Sequence, residues 1–75
     1  MRNWKYVKLL DRSHKNQVVR ADGGFQQEYE DGKWIRSAIL LDYYTDISPL
    51  FEMYEYITEK EAIELLGEEA IRMPE

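Results

Sequence analysis

Cysteine is absent from the 75-residue chain, which excludes disulfides and thiolate metal sites and suits a reducing compartment. Long apolar runs are also missing, since no stretch approaches the roughly 20 residues that cross a bilayer. The opening segment "MRNWKYVKLLDR" carries charges inside its apolar stretch, unlike a signal peptide. These absences predict a cytoplasmic protein with no membrane association.

Aromatic residues are plentiful instead: two Trp, six Tyr and two Phe. A chain of this length has room for one core only, so we expect a single domain over residues 1–75. Such small domains bury only about 60% of the surface that the unfolded chain exposes. Large aromatic side chains offset that deficit, because each buries more area than an aliphatic one.

The first half of the chain has the pattern of an antiparallel meander. Three turn-forming segments, residues 12–16, Asp22–Gly24 and Asp31–Gly32, separate stretches that alternate between apolar and polar residues. The pair Asp31–Gly32 is typical of a type I′ hairpin turn. The predicted strands are residues 3–11, 17–21, 25–30 and 33–35.

Residues 37–44, "SAILLDYY", allow two interpretations. They are either a short helix with Ser37 as the N-cap or a buried strand continuing from Trp34, and the pattern favours the helix. After the connector with Pro49, residues 50–57 alternate again. That alternation predicts a strand with Phe51, Met53 and Ile57 buried and with the Tyr54 side wet.

The C-terminal region has the clearest helix signal. Thr58 and Glu61 match the capping box, in which each side chain bonds the other residue's backbone amide. Gly67 is a suitable residue for ending this helix. Residues 68–75 either continue as a second helical turn or form a frayed tail.

The predicted fold is therefore α+β. It has a small antiparallel sheet of 3–5 strands, a C-terminal helix packed on one face and a short helix after Trp34. The predicted core is Val7, Leu9, Val18, Trp34, Ile35, Leu40, Phe51, Met53, Ile57, Ile63 and Leu66.

No set of residues has the spacing of an active site. His14 is the only histidine and lies in a polar loop, and no serine has a base at a suggestive spacing. The two glycines of "DGG" do not connect a buried strand to a helix, as a phosphate-binding loop does. We expect no catalytic residue, no cofactor and no metal site, and therefore no enzyme.

Charge is distributed unevenly along the chain, whose net charge is −5. Residues 1–20 carry six basic side chains and one acid, and residues 21–75 carry fourteen acids and four basic side chains. Mutual neutralisation is the simplest explanation. The acidic, aromatic part supplies a candidate partner-binding set, Asp42, Asp46, Glu52, Tyr54 and Tyr56. The basic part supplies an alternative polyanion-binding set, Trp4, Lys5, Lys8, Arg12, Lys15 and Arg20.

The motif "DGKW" at residues 31–34, a serine three residues later and the closing "ITEKEAIELL" at residues 57–66 have a familiar order. In these features the chain resembles small uncharacterised proteins of Gram-positive bacteria and their phages. No biochemical activity is attached to such proteins, so the resemblance implies no functional residue.

The first functional hypothesis is a small acidic, non-enzymatic module that binds another protein, or itself as a homodimer through exposed sheet edges. The alternative is an acidic inhibitor or nucleic-acid mimic that occupies a basic site on a partner protein. The third is nucleic-acid binding through the basic N-terminal hairpin, which the acidic remainder of the chain disfavours.

Overall fold

The computed structural model describes residues 3–73, which form an antiparallel sheet and three short helices. A 3-10 helix at Arg12–His14 joins the first two strands. The predicted α+β class is confirmed. The elements are β1 (Lys5–Leu9), β2 (Val18–Asp22), β3 (Phe25–Glu30), β4 (Lys33–Ser37), α1 (Leu40–Tyr44), β5 (Tyr54–Ile57), α2 (Glu59–Leu66) and α3 (Glu68–Arg72).

The strand order is β4-β3-β2-β1-β5, and every pairing is antiparallel. The first four strands form the predicted meander, and the chain then returns to place β5 beside β1. Asp31 and Gly32 both have positive φ, at 52° and 79°, as the predicted type I′ turn requires. Because β4 and β5 stand at the two ends of the strand order, they are the outer strands of the sheet.

Period-two alternation divides the core between the two faces of the sheet. Tyr6 and Val18 point to one face, where α2 and α3 cover them with Ala62 and Ile71. We call this the α2/α3 face. Val7, Leu9 and Val19 point to the opposite face, where α1 covers them with Leu40 and Tyr43. We call this the α1 face.

The short helix after Trp34 is present, and it begins later than predicted. Its N-cap residue is Ile39, while Ser37 ends β4. The Ser37 hydroxyl accepts a hydrogen bond from the Ile39 amide at 3.0 Å, and Gln26 Oε1 accepts one from the Leu40 amide at 3.1 Å. Two side chains thus satisfy the amides that open α1.

The capping box of α2 is confirmed. The Glu61 amide donates to Thr58 Oγ1, and the Thr58 amide donates to Glu61 Oε1, both at 3.1 Å. Gly67 follows α2 with φ of 92°, and its amide donates to the Ile63 carbonyl. Residues 68–75 were expected to form either a second helical turn or a frayed tail. As far as residue 73 the structure has the helix, because α3 forms with Ala70 and Ile71 buried.

The strand predicted over residues 50–57 begins only at Tyr54, so part of the predicted core is wrong. Phe51 and Met53 are each 38% exposed. The chain makes successive turns here, in which the Phe51 amide donates to Ser48 and the Met53 amide to Leu50. Successive side chains in turns do not alternate between two faces as they do in a strand. The alternating apolar residues at positions 51 and 53 therefore do not share one buried face.

Ile35 is a second wrong core prediction, also 38% exposed. It lies opposite Glu28 in the outer strand β4. Its side chain is on the α1 face but outside the part of that face against which α1 packs. The other predicted core residues are buried or pack against the core: Val7, Leu9, Val18, Leu40 and Ile57 are buried, and Trp34, Ile63 and Leu66 are partly buried.

Candidate partner-binding edge

The outer strand β5 has an open side. Leu10 donates its amide to the Met53 carbonyl at 2.9 Å, directly beyond the last paired residues of β1 and β5. Hydrogen-bonded and non-bonded pairs alternate along an antiparallel ladder. Counting from the Leu10–Met53 pair, the backbone groups of Tyr54 and Tyr56 therefore point away from β1, towards the open side.

A row of tyrosine rings borders this edge on the α1 face. Tyr54 lies at its centre, with ring centroids 6.5 Å from Tyr43, 5.2 Å from Tyr44 and 5.7 Å from Tyr56. The interplanar angles are 87°, 71° and 89°, so each contact is edge-to-face. Such contacts each contribute about 0.5–1.5 kcal/mol beyond burial. The buried Tyr43 thereby anchors rings that reach the surface.

An open cavity of about 620 Å³ lies against the surface end of this row. We call it the β5 pocket. Tyr56 and Tyr44 are 61% and 42% exposed, and their hydroxyls lie 3.3 Å apart. Burial and that hydroxyl contact raise the pKa of Tyr44. The lining residues are Tyr44, Phe51, Glu52, Tyr54, Glu55 and Tyr56.

A second open groove, of about 610 Å³, lies at the end of β5 on the α2/α3 face. Trp4, Tyr6 and Ile57 provide its apolar surface, and Thr58 and Glu59 border it at the start of α2. The edge strand is therefore flanked by a cavity on each face of the sheet.

The acidic candidate set is only partly brought together. Glu52, Tyr54 and Tyr56 line the β5 pocket, whereas the exposed Asp42 and Asp46 do not. Sequence reasoning missed the pocket's other members. Tyr44 and Glu55 were not included in the candidate set, and Phe51 was placed in the core. The turns before β5 bring Phe51 to the pocket, and no local sequence signal shows that geometry.

The basic candidate set is dispersed. Lys5 lies at the start of β1, whereas Arg12 lies beyond the other end of that strand, in the 3-10 helix. Lys8 is half-buried and bonds Glu55 at 2.9 Å. Lys15 and Trp4 lie at opposite ends of the same hairpin.

Arg20 does not belong to any surface, because its side chain is fully buried. Its guanidinium lies between the rings of Trp4 and Trp34, 4.3 Å and 4.4 Å from their centroids. Nε donates to Gln27 Oε1 at 2.7 Å, and Nη1 donates to the Met73 carbonyl at 2.9 Å. Its inclusion in the polyanion-binding set is thus corrected, since this cation joins the sheet to the end of α3.

His14 belongs to a network that the sequence did not reveal. Its Nδ1 lies 2.9 Å from Asp11 Oδ2, and the Tyr43 hydroxyl donates to Asp11 Oδ1. Burial of Asp11 raises its pKa, but the hydrogen bonds from Tyr43 and His14 outweigh burial and lower it overall. The network fastens the β1–β2 connection to α1.

No protein-family model, curated protein or solved structure matched this chain significantly. Among the helices of residues 3–73, none has the length and apolar character needed to cross a membrane. The resemblance drawn from the two sequence motifs stays a prediction, and functional inference depends on the geometry of the edge.

Proposed function

We propose that this protein is a non-enzymatic interaction module that binds an extended segment of a partner protein along the open side of β5. One observation carries the proposal: β5 is an outer strand whose backbone groups at Tyr54 and Tyr56 point away from β1, beside exposed aromatic rings. A segment that adds to such an edge gains main-chain hydrogen bonds, and its alternate side chains enter pockets on the two faces.

The two outer strands differ in how they resist such addition. Sheet edges are commonly protected by lysine, proline or a bulge. The edge strand β4 carries Lys33 and Arg36. The only charge in β5 is Glu55, which pairs with Lys8 of the neighbouring strand. The β5 edge is therefore the less protected of the two.

The flanking cavities support an added strand rather than a small ligand. Successive residues of a strand point to opposite faces. One residue of an added segment would face the β5 pocket, and the next would face the groove beside Ile57. Both cavities are open and both are lined by residues of β5, which suits a peptide that pairs with this strand.

A second copy of the chain would be a less suitable strand. Pairing two β5 strands antiparallel with Tyr54 opposite Tyr56 places one Glu55 directly against the other. Like charges at opposed positions destabilise a sheet. A homodimer through this edge is accordingly the alternative, and sedimentation over a range of concentrations measures it.

The acidic-mimic and nucleic-acid hypotheses receive less support. Asp42 belongs to α1, whereas Glu64 and Glu69 belong to the helices on the opposite face of the sheet. The acids therefore do not form one continuous row. The basic residues are dispersed and one of them is buried, as described above.

Proline substitution tests the edge directly. Tyr56→Pro removes an outward amide that β1 does not use, and Tyr56→Val removes the same ring but keeps the amide. In β4, the two-residue turn makes Glu30 and Lys33 a hydrogen-bonded pair. Bonded and non-bonded pairs alternate from there, so Arg36 is in a non-bonded pair and its amide also points outward. Arg36→Pro is thus the matched control at the other edge.

Peptides selected from a random displayed library on the native protein provide the ligands. We expect Tyr56→Pro to weaken their binding at least about tenfold relative to Tyr56→Val, and Arg36→Pro to leave it unchanged. Amide NMR spectra confirm that each variant folds. Equal losses at the two edges, or no loss at Tyr56→Pro, would refute the proposed function.

A further inference from the structure

The β5 pocket has the composition of a site for a cation. Four of its six lining residues are aromatic, two are carboxylates and none is basic. The faces of aromatic rings carry partial negative charge and attract cations within about 6 Å of the centroid. Both the aromatic rings and the carboxylates therefore attract a cationic group of a ligand, and none of the lining side chains carries a positive charge itself.

Ring orientation adds to this preference. Tyr54 stands nearly perpendicular to Tyr56 and at 71° to Tyr44, with centroids 5.7 Å and 5.2 Å away. Rings that meet at such angles form walls rather than a stack. The near contact of the Tyr44 and Tyr56 hydroxyls, at 3.3 Å, holds two of these walls together.

Glu52 provides the least compensated charge of the pocket. Glu55 is bonded to Lys8, but Glu52 makes no salt bridge with any residue of the range 3–73. Its backbone has φ of +62°, a conformation that glutamate rarely adopts. The other non-glycine residues with positive φ in that range are Asn16 and Asp31, whose types tolerate it. A strained conformation thus holds a free carboxylate at the pocket.

We infer that the β5 pocket is an aromatic cage that binds an arginine side chain of the partner's extended segment. This inference rests on the proposed function, because the added strand delivers the side chain. A residue opposite Tyr54 or Tyr56 on the same face has its Cβ about 5 Å from theirs, which directs a long side chain along the rings. Arginine fits better than lysine, since its planar guanidinium stacks on aromatic rings and bonds carboxylates through two donors.

Two capped pentapeptides test the cage, and they differ only in one side-chain group, which is a guanidinium in one and a urea in the other. Each has valine on both sides of its central residue and threonine at the ends. One carries arginine at the centre, and the other carries citrulline, which has the same shape without the charge. Titration into the native ¹⁵N-labelled protein is followed at the amides of residues 54–57. We expect the arginine peptide to bind about three- to tenfold more tightly.

Variants identify the pocket as the source of that preference. Tyr56→Leu and Glu52→Gln should each reduce the arginine-over-citrulline ratio towards one. Tyr56→Phe, which keeps the ring, should preserve most of it. Glu30→Gln, a matched change at the exposed end of β3, should leave the ratio unaltered.

The outcomes separate the two proposals. If both peptides bind at residues 54–57 with equal affinity, the edge is the binding site and the cation cage is refuted. The cage is also refuted if the arginine preference survives Tyr56→Leu and Glu52→Gln. If neither peptide perturbs these amides, strand addition at β5 fails together with the cage.

Discussion

The buried Arg20 makes a specific prediction about what holds the C-terminal helix to the sheet. Its guanidinium stacks between two indole rings and donates to both Gln27 and the Met73 carbonyl. Arg20→Lys keeps the positive charge but removes the planar group. An ammonium group cannot stack flat between Trp4 and Trp34 while it bonds both acceptors.

The expected cost follows from those contacts. Loss of one hydrogen bond from a charged group costs about 1.5–3 kcal/mol, and weakened stacking on two rings adds about 1 kcal/mol. We therefore expect Arg20→Lys to lower the free energy of unfolding by about 3 kcal/mol. A domain of this length has about 4–11 kcal/mol in total, so the loss is a large fraction.

Urea unfolding followed by far-UV circular dichroism measures this cost, because fluorescence would report on the indoles that the substitution disturbs. We expect the midpoint to fall by about 1–3 M. Arg12→Lys is the matched control at an exposed arginine and should change stability by less than about 0.5 kcal/mol. Equal effects at the two positions would show that the stacked guanidinium does not stabilise the fold.

Two further predictions concern Asp11 and Glu52. The pKa of Asp11 is lower in the folded protein than in the unfolded chain, so its stabilisation is full above about pH 4 and is lost as the pH falls through the folded-state pKa. Asp11→Asn should lower the free energy of unfolding by about 2 kcal/mol at pH 7 and by progressively less below pH 4. The exposed control Asp46→Asn should differ from wild type by an amount that does not change with pH. The same pH-independent difference for Asp11→Asn would contradict this prediction. Glu52→Gly should raise stability by about 0.5–1 kcal/mol, since glycine adopts positive φ without strain, and should also abolish the preference for the arginine peptide. Unchanged or reduced stability in thermal unfolding would show that Glu52 is not strained.

Much of the candidate edge could be predicted from the sequence. Alternation placed Tyr54 and Tyr56 on a wet side of a strand, and Glu52 was correctly grouped with them. The sequence could not show that β5 is an outer strand, because strand order depends on how the chain returns across the sheet. Phe51 and Glu55 were missed for a related reason. One reaches the pocket through turns, and the other reaches it around the edge of the strand.

Local chemistry by itself determined the hairpin at Asp31–Gly32, the capping box of α2 and most strand positions. Each depends on residues close together in the sequence, such as a glycine with positive φ or a threonine three residues before a glutamate. The tertiary structure alone decided that Arg20 is buried. Its aromatic and carbonyl partners come from the residue before β1, from β4 and from the end of α3, and only packing of the whole chain brings them together.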